Sequence, residues 1–278
     1  MKIHCKSIFL FTFVAQTSFY TQMFIPIAEK HSISGVSASI FLPQSLIKPE
    51  DVFNKINQGK VLSEYQKKGL ISSKTINLHN DGLQISGDEI FGFVFEEFNQ
   101  IGSSVNVLKV ENISGKSKSQ ISFETKDYTN WNKFKERFFE NIDSLANVFN
   151  FYVEAISLNY VDEFIWQSNE KIPISSIFNQ DAELMNSNFT QSHNGTLIII
   201  SQSEHNPKEK FREEKTEILF NNDVKKVIIN HIYAIKLEDF KEYNKFFLEE
   251  LFNEAHSKNI ELLNKILTPE IRDKIDLH

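Results

Sequence analysis

The stretch YVEAISLNYVDEF, residues 152–164, gathers residue types that acid–base chemistry uses: Tyr160, the adjacent carboxylates Asp162 and Glu163, and Glu154 eight positions before Asp162. A hydrolase needs one carboxyl group as general acid and another as general base. In a glycosidase the two face each other across about 5 to 9.5 Å. Apolar residues alternate through this stretch, which marks it as a strand with Tyr152, Glu154, Ile156, Leu158, Tyr160, Asp162 and Phe164 on one face and Glu163 on the other. Glu154 and Asp162 then stand roughly 27 Å apart at about 3.3 Å per residue. The strand cannot supply its own acid–base pair. Asp162 and Glu163 are expected near a strand end, in contact with solvent. The catalytic alternative keeps Tyr160, Asp162 and Glu163 as polar groups at a pocket mouth, completed by another element.

Other chemistries find less support. No two of the eight histidines sit at a spacing that a helix or strand presents to one ion, so no metal is expected. His231 lies in an alternating run and reads as a hydrogen-bonded structural residue; His193 and His205 flank a strand, and His4 and Cys5 point to opposite faces of any strand that holds them. Cys5, the single cysteine, excludes an internal disulfide and a thiolate cage. There is no Gly-x-Ser-x-Gly elbow, Walker sequence or dinucleotide fingerprint, and nine glycines leave little for a phosphate cradle. No cofactor is expected. The mixed-charge run HNPKEKFREEKTE, residues 205–217, reads as a solvated loop or hairpin, and GKSKSQ, residues 115–120, as a hairpin tip.

Composition narrows the setting. A chain of 278 residues with 41% hydrophobic and 24% charged residues is long enough to bury its own core, and it is neither disordered nor membrane-like in character. Phenylalanine is abundant at 26 residues, whereas arginine occurs only at Arg137, Arg212 and Arg272. Few arginines and a net charge of −7 disfavour a nucleic-acid partner. The absence of disulfide capacity suits a reducing cytoplasm. The opening MKIHCKSIFLFTFVAQTSFYTQM has the lysines and apolar run of a signal peptide, but Thr12 breaks the run and Phe13 is a poor partner for cleavage at Ala15. A first strand, or translation beginning at Met23, are the other readings of residues 1–22.

The elements that would position a site follow from periodicity. ISGVSASIFL reads as a strand, and a helix is entered at Pro49 and closed by Gly69. KTINLH, GLQISG, EIFGFVFEEF, SVNVLKVEN and SQISFET form an antiparallel meander between turn signals. Trp131, Phe134, Phe138, Ile142, Leu145 and Phe149 then step by three and four along a helix capped at Thr129, with their face toward the core. After residues 152–164 come a short helical piece, the strands GTLIIISQSE, KTEILF and KKVIINHIYAIK, and a long helix from about Glu238 with a break near His256 to Asn259. Thr268 and Pro269 open a last helix. The fold class is α+β: antiparallel sheets with long amphipathic helices, in an order that suggests two similar strand–helix–meander–helix halves, 23–150 and 151–278, packed as one unit.

IPIAE, YTNWNKF, SLNYVDEF and ILTPEIRDKI, in this order and spacing from Met23 onward, resemble a sporadically distributed, uncharacterised family of bacterial proteins of similar length. The resemblance implies a bacterial, cytoplasmic setting and, through the patchy distribution, a link to mobile elements or phage defence. Relatives carry an arginine around the central strand, where Glu154 to Asn159 hold none, so no role of that cation carries over. The expectation is a non-enzymatic binding or interaction protein, with another protein or a small ligand as partner and no membrane. The alternative is a hydrolytic or nucleic-acid-processing enzyme with its site between the halves.

Overall fold

The computed structural model describes residues 23–28, 31–59, 62–73, 76–79, 82–85, 89–179, 182, 185–204 and 210–277. The readings made for residues 1–22, including His4 and Cys5, and for His205 lie outside the described residues. The strands are β1 (Phe24–Pro26), β2 (Ile33–Leu42), β3 (Lys67–Ser73), β4 (Ile76–His79), β5 (Gly82–Ile85), β6 (Glu89–Phe98), β7 (Ser104–Asn112), β8 (Ser119–Thr125), β9 (Tyr152–Trp166), β10 (Gly195–Glu204), β11 (Lys210–Asn221) and β12 (Lys226–Glu242). The helices are α1 (Pro49–Gln58), α2 (Trp131–Ala146), α3 (Ile174–Ile177), α4 (Ser187–Gln191), α5 (Lys245–Ile266) and α6 (Pro269–Lys274).

Ten strands form one antiparallel sheet in the order β10-β11-β12-β9-β2-β8-β7-β6-β3, with β1 against β9; β4 and β5 make a separate hairpin. The fold is α+β. β2 and β9 pair at the centre, β8, β7 and β6 run outward from β2, and β12, β11 and β10 run outward from β9. Each half-sheet thus places its last strand beside its first, and a long helix follows that last strand, α2 after β8 and α5 after β12.

Both long helices pack on the same side of the sheet. Phe134, Phe138, Phe139, Ile142 and Leu145 of α2 are buried at helical spacing, and the rings of Phe138 and Phe252 of α5 lie 4.9 Å apart. Burial of each such side chain contributes about 1.5–3 kcal/mol. The core divides in two. One cluster holds Val36, Ile156 and Leu158 under α2 and the first half of α5, and the other holds Phe164, Ile229 and Trp166 under Leu262, Leu263 and Ile266.

Several local expectations are corrected. The cap of α2 is Asn130, whose Oδ1 accepts from the Lys133 N–H, rather than Thr129. α1 ends at Gln58, and Gly69 lies inside β3. β12 extends to Glu242, so the long helix starts at Lys245, where the Asn244 side chain accepts from the Phe247 N–H. α5 runs unbroken through His256 and Asn259. Those polar residues looked like an interruption because their partners lie on the sheet beneath. Among the described residues no helix is long and apolar enough to cross a membrane.

Candidate functional site

A belt of buried polar groups crosses the sheet between the two apolar clusters. Its centre is Asp162, whose neighbours β2 and β12 flank β9 on both sides. Asp162 is 0% exposed, accepts a hydrogen bond of 2.5 Å from Ser32 Oγ at Oδ1, and has no hydrogen-bond partner at Oδ2 among the described residues. Burial raises its pKa to about 6, against the opposing pull of the Ser32 hydroxyl and of His231. The expected position at a solvated strand end is therefore wrong: strands on either side and α5 above enclose this segment.

Tyr160 sits in the same row, with its hydroxyl 2.8 Å from His256 Nδ1. Burial pushes the Tyr160 hydroxyl well above its ordinary pKa, and burial together with Lys135 lowers His256 to about 4. With its pKa lowered this far the imidazole is neutral at pH 7, so the Tyr160 hydroxyl and Nδ1 share one hydrogen bond whose direction follows the imidazole tautomer. His231, the cross-strand partner of Tyr160, places Nδ1 3.0 Å from Asn259 Oδ1 and Nε2 3.0 Å from Glu214 Oε1. His256 and Asn259 thus tie α5 to the sheet at one register. A hydrogen-bonded role for His231, expected from its place in the strand, is what these distances describe.

Glu163 and Glu154 stand apart from this belt. Glu163 points to the opposite face and pairs with Lys226 at 2.5 Å. Glu154 was expected in the Asp162 row, but Val153 enters the core in its place, and Glu154 pairs with Lys118 at 2.5 Å and Lys236 at 3.9 Å. The register shift on β12 between Lys236 and Lys241 lies opposite this break in parity. Tyr160 and Asp162 are brought together; Glu163 and Glu154 are not. The chemistry of the belt is inward-facing, since a sealed carboxyl cannot meet a substrate.

A groove of about 560 Å³ opens beside the belt between β10, β11 and α5, lined by Ser201, Ser203, Arg212, Glu214, Glu254 and Lys258 among others. Arg212 donates from Nε and Nη2 to Glu254 Oε1 and Oε2 at 2.5 and 3.2 Å, and Tyr233 Oη donates to Glu254 Oε1 at 3.3 Å. The His231 hydrogen bond holds the Glu214 carboxyl below its usual range in spite of burial. A second groove, of about 470 Å³, lies beside α2, where Arg137 reaches Glu97 at 3.5 Å and Glu64 at 3.6 Å. The arginine forks of both grooves are turned to carboxylates of the chain itself. None of Tyr160, Asp162 and Glu163 lines either groove.

The outer wall of the larger groove is β10. Among the described residues this strand pairs only with β11, in an unbroken register from Gly195 with Phe220 to Glu204 with Phe211. Ile198 and Ile200, on the face away from the groove, are 53% and 60% exposed. Among the described residues no three or more His, Cys, Asp or Glu side chains are placed to hold a metal ion. No family model, curated protein or solved structure matches this chain.

Sequence reasoning missed Arg212, Glu214, Glu254 and His256. The run 205–217 was expected to be a solvated loop or hairpin; residues 205–209 lie outside the described residues, and from Lys210 the run is the second strand of the β10–β11 pair, an inner strand in which Thr216 is 3% exposed. The available signal was parity: Arg212, Glu214 and Thr216 fall on one face of a strand.

Proposed function

We propose that this protein is a non-enzymatic interaction protein that captures an extended polypeptide segment along the edge of β10 that no other described strand covers. One observation carries this reading: the two edges of the main sheet are built in opposite ways. β3, at one end, bears Lys67, Lys68 and Gly69 and a register shift between Ile71 and Ser72, devices that stop edge-to-edge pairing. β10, at the other end, has no proline, no bulge and no charged residue from Gly195 to Ser203. An edge of unpaired N–H and C=O groups takes an extended backbone, and the alternating faces take its side chains. Here one face offers Ile198 and Ile200, and the other the hydroxyls of Ser201 and Ser203.

The same geometry disfavours the hydrolytic alternative, because Asp162 is sealed and Glu163 faces away. A nucleic-acid ligand is disfavoured by the charge balance of the groove, where Arg212, Lys258 and Lys265 stand against Glu214, Glu254 and Glu261. The mirrored strand order about β2 and β9 supports a duplicated strand–helix–meander–helix origin of the two halves. A bacterial, cytoplasmic setting linked to mobile elements or phage defence rests on the family resemblance. Arrayed peptides rich in Val, Ile and Thr test the reading. Wild type should capture a subset of them and protect the amides of residues 195–204 from exchange, and the Ile198→Lys, Ile200→Lys double variant should bind them at least about tenfold more weakly, about 1.4 kcal/mol. Undiminished capture by that variant, or protection confined to other strands, overturns it.

A further inference from the structure

Resting on the strand-addition reading, we infer that the segment received by β10 is β10 of a second copy of this chain, in a symmetric antiparallel pair. Antiparallel pairing about Ile199 sets Ile199 against Ile199, Ile198 against Ile200, Leu197 against Ser201, Thr196 against Gln202 and Gly195 against Ser203. Every pair joins residues of the same face, because positions whose numbers differ by an even count share a side of the strand. No pair opposes like charges, and the two Ile198–Ile200 pairs bring four exposed β-branched side chains into one cluster.

The pairing also closes. A two-fold contact uses the same patch on both copies, so the sheet would grow into a fibre only if its outer ends could pair as well. In the dimer both outer ends are β3, with Lys67, Lys68 and the register shift. Assembly stops at two. Because Ile199, Ser201 and Ser203 line the groove between β10, β11 and α5, the two copies place their grooves side by side across the axis, and each copy's β10 becomes part of the wall between them. A ten-residue strand is about 33 Å long at about 3.3 Å per residue. Such a narrow contact falls among interfaces under about 1,200 Å², which are weak and transient, so a micromolar dimer is expected.

Sedimentation velocity of the full chain over a concentration series tests this, with amide exchange of residues 195–204 followed in parallel. Wild type should pass from monomer to dimer, protection of 195–204 should rise with the dimer fraction, and the Ile198→Lys, Ile200→Lys variant should remain a monomer with unchanged far-ultraviolet circular dichroism. A chain that stays monomeric at every concentration, but whose 195–204 amides are protected by an arrayed peptide, overturns self-pairing and leaves strand addition standing. A dimer that persists in the variant also overturns self-pairing. Absence of protection at 195–204 with dimer and with peptide alike overturns both.

Discussion

Asp162→Asn is expected to gain about 2 kcal/mol of stability relative to wild type as pH rises from 4 to 7, because burial lifts the wild-type carboxyl from 3.8 to about 6. The folded protein holds the proton more tightly than the unfolded chain does. Between these two values the native state therefore binds more protons, and raising the pH removes stability until the carboxyl is ionised in both states. Asn keeps the shape and cannot ionise. Its amide leaves donors unsatisfied where Oδ2 now has no partner, but that cost is the same at every pH and cancels in the difference. Chemical denaturation of both proteins across this range measures the gain, and a difference independent of pH would show that Asp162 is not desolvated in solution.

His256 contributes with the opposite sign. Burial lowers it from 6.5 to about 4, so the unfolded chain binds the extra proton and stability falls as pH drops through that window. The two groups sit on one belt, Asp162 beside Tyr160 on β9 and His256 against the Tyr160 hydroxyl, and their opposing slopes offset each other in wild type. His256→Gln should therefore uncover the Asp162 slope, with stability declining from pH 4 to 7 more steeply than in wild type. The same denaturation series reads this, and a variant whose slope matches wild type would mean that His256 titrates alike in the folded and unfolded chain.

How much of this was legible depends on how local each signal was. β2, β6, β7, β8 and β10 coincide with alternating runs, because period-two patterning and the turns between them are short-range properties. The buried state of Asp162 was not. Alternation placed it on the face of Ile156, Leu158 and Phe164, but only the pairing of β9 with both β2 and β12, and the passage of α5 overhead, removes the solvent expected there. The parity break at Val153 depends on a register shift in a partner strand and leaves no local mark. His256 and Asn259 looked like a helix break for the same reason, since their hydrogen-bond partners are Tyr160 and His231, far away in the chain. The run GTLIIISQSE identifies a strand, whereas its place at the edge of the sheet is a property of the whole strand order.

Trp131→Ala is expected to cost about 3 kcal/mol, the lower end for a large aromatic, because the side chain is half-buried. Its indole stacks on His256 with centroids 4.5 Å apart and planes at 13°, lies 5.8 Å from Phe134, and donates from Nε1 to Asn253 Oδ1 at 2.9 Å. Through these contacts the first residue of α2 joins the middle of α5. The aromatic stripe of α2 was expected to face the core along its length; Trp131 packs half-buried against that core and also stacks on His256 at the edge of the polar belt. Removing it opens His256 to water, and because burial is the main cause of the depressed pKa, the imidazole should titrate nearer its ordinary 6.5 than about 4. Trp131→Phe keeps the stacking partner and loses only the indole hydrogen bond, so its cost should be about 1 kcal/mol with His256 still depressed. Proton NMR of the histidine ring together with denaturation separates the two effects. An alanine variant that loses stability while His256 titrates as in wild type would show that the indole holds the helices together but does not shield the imidazole.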